Sequence, residues 1–138
     1  MSSLSVATAE TYLGSQFAYL GFTGATGGLS EPEQVRLTGL SATAENGTPL
    51  LVTQQPTLPT FTVNGSAVNT SPQVYMVTPD ALSQHGSVMS DMRVDLSKTF
   101  DITFDINVGN KANGADGMGF MLQNDPLGHN ALGYLRGA

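Results

Sequence analysis

The chain has 138 residues, 11 acidic side chains against 5 basic ones, a net charge of −6 and no cysteine. That length suits one domain, and the composition excludes disulfides, thiolate metal sites and thiol nucleophiles. The bases are scattered at Arg36, Arg93, Lys98, Lys111 and Arg136, so there is no basic stripe for nucleic acid and no patch for an anionic membrane. Charged residues make up 12% of the chain, about half the usual share, so solubility rests on Ser, Thr, Asn, Gln and Gly.

Residues 1–16 read as an N-terminal arm. Met1 to Leu20 has no basic n-region and no unbroken apolar h-region, so no secretory signal is expected there. No apolar run approaches the roughly 18 residues of a membrane span. Ser15 to Phe22 alternates, with Phe17, Tyr19 and Gly21 on one face, and the glycine-rich Thr23–Gly28 is expected to break it. Ser30 with Pro32 and Glu33 predicts an N-capped helical turn through Leu37, ended by Gly39. An irregular insertion is expected over about 30–59. Within it Leu50–Thr53 reads as a short strand, and Gln54–Pro59, with two prolines, is unfit for a sheet interior.

Thr60–Val63 alternates and runs into Asn64-Gly65, a two-residue turn signal. Val74–Val77 and Ser87–Ser90 are short strands. The longest pattern is Thr99–Val108, which puts Phe100, Ile102, Phe104, Ile106 and Val108 on a face predicted to be buried. Asp101, Thr103, Asp105 and Asn107 fall on the wet face. Gly109–Gly114 is a turn, and Met118–Leu122 reads as a more fully buried strand.

Several blocks resemble the L-type (legume-type) lectins, in particular their bacterial and fungal branch. They are Val77-Thr78-Pro79-Asp80, Gln84-His85-Gly86-Ser87, Val94-Asp95-Leu96, Asn113-Gly114-Ala115-Asp116-Gly117, Gln123-Asn124-Asp125-Pro126 and Ala131-Leu132-Gly133. The similarity is strongest over residues 77–133 and weaker through Thr62–Ala67 and Phe17–Gly24. It implies an all-β, jelly-roll-type antiparallel β-sandwich of the concanavalin-like kind over 17–138, of which this chain carries an N-terminal part.

The resemblance also implies a function. In the family an Ala-Asp-Gly corner reads sugars, its carboxylate accepting charge-assisted bonds from neighbouring hydroxyls. By that likeness Asp116 is the sugar acceptor, Ala115-Asp116 is a cis peptide, and Gly133 is the nearest match to a backbone donor in the following loop. The family's metal-holding acids and completing asparagine have no counterpart before Ala138. No metal ligand is therefore assigned to this chain, and calcium is expected only if downstream segments or a partner supply its ligands. The strands at 100–108 and 118–122 also call for sheet partners. These come from a longer polypeptide, from another chain completing the sheet (a homo-oligomer or assembly partner), or from the first ~60 residues.

Plainer readings stand beside these. Asp116 in a glycine turn is, on local sequence alone, a turn residue. His85 and His129 are isolated and read as loop residues. Asp101 with Asp105, and Asp91 with Asp95, mark wet strand faces rather than a glycosidase pair. Gly114-x-x-Gly117-x-Gly119 precedes no helix and is not a dinucleotide fingerprint. Ser66 and Ser87 lack a base, and three Asn-x-Ser/Thr sequons begin at Asn46, Asn64 and Asn69. The reading is a non-enzymatic glycan-binding module, extracellular or exposed on a cell or virion surface. The competing reading is a structural or assembly protein, such as a surface filament subunit or virion decoration protein, that keeps the scaffold without sugar binding.

Overall fold

The computed structural model describes residues 6–52, 61–114 and 117–132. They form a short helix, α1 (Val6–Leu13), and ten strands: β1 (Phe17–Ala25), β2 (Glu33–Thr43), β3 (Pro49–Val52), β4 (Phe61–Gly65), β5 (Val68–Ser71), β6 (Val74–Thr78), β7 (His85–Ser90), β8 (Val94–Asp95), β9 (Asp101–Asn107) and β10 (Gly117–Gln123). A 3-10 turn follows at Gly128–Asn130. The strands make two five-stranded sheets, with every ladder antiparallel. One runs β10-β1-β7-β4, with β8 pairing the start of β1; the other runs β3-β2-β6-β5, with β9 on the opposite side of β2. The protein is an all-β sandwich.

The two N-terminal strands hold the central places. β1 pairs β10 over Tyr19–Ala25 and β7 over Gly21–Ala25. β2 pairs β9 over Gln34–Ser41, β6 over Glu33–Arg36 and β3 over Leu40–Thr43. The partners that the β9 and β10 patterns call for are thus β2 and β1. Alternation explains the core: Ala18, Leu20 and Phe22 of β1 meet Val35, Leu37, Leu40 and Ala42 of β2, with Val77, Val88 and Val94 between them. Each large side chain fully buried in this way is worth about 1.5–3 kcal/mol. Phe22 packs edge-on against Phe104 with centroids 4.7 Å apart and tilted against Phe120 at 5.6 Å, joining β1, β9 and β10.

Several expectations are corrected. The helical turn expected through Leu37 is instead strand β2 from Glu33 onward, which runs through the region expected to be irregular; β3 falls where Leu50–Thr53 was expected as a strand. Glu33, Val35 and Leu37 point inward while Gln34 and Arg36 point outward, which is a period of two rather than of a helix. Thr23–Gly28 does not break β1, which continues to Ala25. Gly21 lies where an added Cβ would sit 2.0 Å from the Val88 carbonyl oxygen, so glycine there allows close strand approach. Asn64-Gly65 is a turn, with Gly65 at φ 63°, but the strands it joins belong to different sheets.

On β9, Asp101, Thr103 and Asp105 are exposed as expected, and Phe100, Ile102 and Phe104 pack on the core. Ile106 and Val108 do not: they are 48% and 39% exposed, because the alternation outruns the layer facing it. The β10 segment is half-buried rather than fully buried, with Phe120 at 40% exposure on the edge strand. His85 opens β7 instead of lying in a loop.

Candidate functional site

Asp116 and Gly133 both lie outside the described residues, as does the Ala115-Asp116 peptide. Their chain neighbours are described, and they converge on one end of β1. Gly117 opens β10 opposite Ala25. Its φ of 137° belongs to the region that favours glycine, while the space around it is open, so the backbone path and not crowding demands glycine here. Leu132, which precedes Gly133, accepts a 3.0 Å hydrogen bond through its carbonyl from the Thr23 hydroxyl. Thr23 and Ala25 are two positions apart on β1, about 7 Å along a strand.

The loop leading to Gly133 is held by a polar row on the outer face of the first sheet. Asn64, Ser87 and Thr23 are cross-strand neighbours on β4, β7 and β1. Asn64 donates to the His129 carbonyl at 2.8 Å, Ser87 to that of Ala131 at 2.6 Å and Thr23 to that of Leu132. Asn64 also donates to the Ser87 hydroxyl at 3.0 Å. Three successive strands thus lay the segment across the sheet, burying Ser87 and Met89 on what would otherwise be a wet face. Ser87, with no base beside it in the sequence, is a donor to the backbone and not a nucleophile. His129 carries a buried Nδ1 with no partner among the described residues.

The loop leading to Asp116 is held from the other side. Lys111 pairs with Asp80 at 2.6 Å and donates to the Ser30 carbonyl at 3.2 Å, while the Ser30 hydroxyl donates to Asp80 at 2.7 Å. These bonds, Lys111 first, hold the Asp80 carboxyl below its ordinary pKa. Thr26 joins the two remaining loops, its hydroxyl donating to the Ala81 carbonyl at 2.6 Å and accepting from the Gln84 N–H at 2.9 Å. Beneath them sits Glu33, fully buried between the sheets. It accepts from the Thr78 hydroxyl at 2.8 Å and from the Gly117 N–H at 2.8 Å. Glu31, 8% exposed, abuts Gly114, where an added Cβ would fall 2.3 Å from its Oε2. Neither glutamate stands in a motif that flags a site, and Glu33 mimics a helix cap; only the inward phase of β2 would have marked it.

Among the described residues no three acidic or histidine side chains converge as a metal cage. Asp80 is engaged by Lys111 and Ser30, Asp95 by Ser97 and Gln16, and Asp91 by Thr62. Calcium does not fit these residues. Asp101 and Asp105 are solvated strand-face acids, and Asp105 pairs with Arg36 at 2.6 Å. An open groove of about 600 Å³ beside that pair is lined also by Ile106 and Val108, with no buried polar group aimed into it.

Residues 41–133 match the legume-like lectin family. The chain belongs to that family. Membership points to a lectin-like binding domain. The match takes in the corner and begins after β1 and most of β2. A 77-residue stretch is 35% identical to the serine-rich adhesin for platelets of Staphylococcus aureus strain MRSA252, covering 52% of this chain and 6% of that protein. The counterpart from strain USA300 shows the same identity and chain coverage, with 3% of its length covered. This chain therefore spans a small fraction of those relatives. No described helix is long and apolar enough to cross a membrane.

Proposed function

We propose that the protein binds glycans through the Ala115-Asp116-Gly117 corner and catalyses no reaction. The Asp116 carboxylate accepts hydrogen bonds from a pair of sugar hydroxyls, and the Gly133 N–H donates to the same sugar. The reading rests on membership of the legume-like lectin family over a segment that contains both residues. The convergence of their neighbours Gly117 and Leu132 on one end of β1 supports it. In the context of the relatives' name, the module serves adhesion to glycosylated surfaces.

A glycan array probed with wild type and Asp116→Ala, with and without added calcium, tests this. Loss of the carboxylate removes charge-assisted bonds worth roughly 1.5–3 kcal/mol each, enough to abolish a weak sugar interaction. Binding that survives Asp116→Ala removes Asp116 from the site.

A second reading, assembly without sugar recognition, is favoured by the apolar surface along β9 and β10, two of the strands paired on one side only among the described residues. Ile106 on β9 and Phe120 on β10 are 48% and 40% exposed, and open apolar edges recruit further strands. An array on which neither form binds, together with concentration-dependent self-association, would favour that reading.

A further inference from the structure

We propose that Glu33 is a positioning residue of the sugar corner, fixing the backbone of Gly117, the residue next to Asp116. This rests on the glycan-binding reading above. Glu33 has no exposed surface. Its two carboxylate oxygens reach in different directions: Oε1 to the Thr78 hydroxyl within its own sheet, Oε2 across the sandwich to the Gly117 N–H. Gly117 follows Asp116 directly, and its positive φ needs something to hold it. The facing strand is shaped for this contact, since a Cβ at Gly24 would lie 2.4 Å from Oε1.

Burying a carboxyl is unfavourable unless its hydrogen bonds are made. A valine or leucine at position 33 would close the end of the core as well, but would leave the Gly117 donor unserved. The choice of glutamate is thus explained by the donor it meets. Residue 33 also lies before the family match, which begins at residue 41. The corner is then assembled from two parts of the chain: the matched segment supplies the reader, and β2 supplies its brace.

Three full-length variants test the assignment: Glu33→Ala, Glu33→Gln and Thr78→Val. The readouts are amide exchange at Gly117 by NMR and affinity for the glycan that wild type selects on the array. Glu33→Ala is expected to speed Gly117 exchange and weaken glycan binding, each about tenfold or more. Glutamine can still accept from Gly117 through Oε1 and donate to the Thr78 hydroxyl through Nε2, so both readouts should return to within about threefold of wild type. Thr78→Val removes the other arm and should leave both readouts near wild type, whatever it does to the melting temperature. If Glu33→Ala does not fold, Glu33→Asp, which withdraws the carboxylate by one methylene, takes its place under the same criteria. Unchanged Gly117 exchange, or faster exchange with unchanged affinity, overturns the proposal. A wild type that binds no glycan overturns the glycan reading instead, and Gly117 exchange then decides by itself whether Glu33 holds the corner.

Discussion

Phe22→Ala is the perturbation that most directly tests whether residues before the family match build the centre of this sandwich. Phe22 has no exposed surface and touches aromatic rings from both sheets, Phe104 at 4.7 Å and Phe120 at 5.6 Å between centroids. Its strand is hydrogen-bonded on both sides, to β7 and β10, so the void cannot be closed by an edge sliding inward. Truncating a phenylalanine in such a place costs about 3–5 kcal/mol, against a total stability of about 5–15 kcal/mol for a domain. For a chain of this length that corresponds to a fall in melting temperature of roughly 10–17 °C. The assay is thermal and urea unfolding followed by circular dichroism, with Leu82→Ala, at a site 55% exposed, as the control expected within about 0.5 kcal/mol. A Phe22→Ala protein that melts within a few degrees of wild type would mean that the matched segment folds without β1. The central placement of the N-terminal strands would then be wrong.

Ser87→Ala removes the donor to the Ala131 carbonyl and leaves that buried acceptor unserved, at a cost of about 1–3 kcal/mol; hydrogen exchange should rise across residues 124–132 before it rises in β1. Arg93 holds Glu45 through two bonds, at 3.1 and 2.7 Å, which lowers the Glu45 pKa through the Arg93 hydrogen bond first. Because the folded pKa is depressed, this contribution is full above the ordinary glutamate range and fades as pH falls through the folded value. Denaturant midpoints of wild type and Glu45→Gln should therefore differ at neutral pH by up to about 1 kcal/mol and converge in acid.

The strands legible in sequence are β1, β3, β4, β6, β7, β9 and β10, which carry alternation or short apolar runs bounded by turn residues. β2 was not legible, for an identifiable reason. Ser30 and Glu33 have the spacing of a capping box, and an inward-facing glutamate looks polar to any pattern that equates polarity with exposure. The signal that survived was the phase of Glu33, Val35 and Leu37, and the bulge between Leu37 and Gly39 interrupts that phase against β9. Ile106 and Val108 fail in the opposite sense. Alternation records which way a side chain points, not whether another layer waits there. The proposed corner can be picked out as a motif because its glycines and aspartate sit in consecutive order. The Glu33–Gly117 bond cannot be, since a bond between residues 84 positions apart leaves no local trace.

The central place of β1 has a consequence for how the protein is made. Tyr19 pairs with Gln123, so β1 must wait for about a hundred further residues to be made before this partner exists, and topologies of this kind fold slowly. Until β10 emerges, β1 presents a bare hydrogen-bonding edge beside the apolar face that later forms the core. A nascent chain in that state is open to mispairing with its neighbours. Translation speed and chaperone supply while the segment from β1 to β10 is being made should therefore govern yield more than the final stability does.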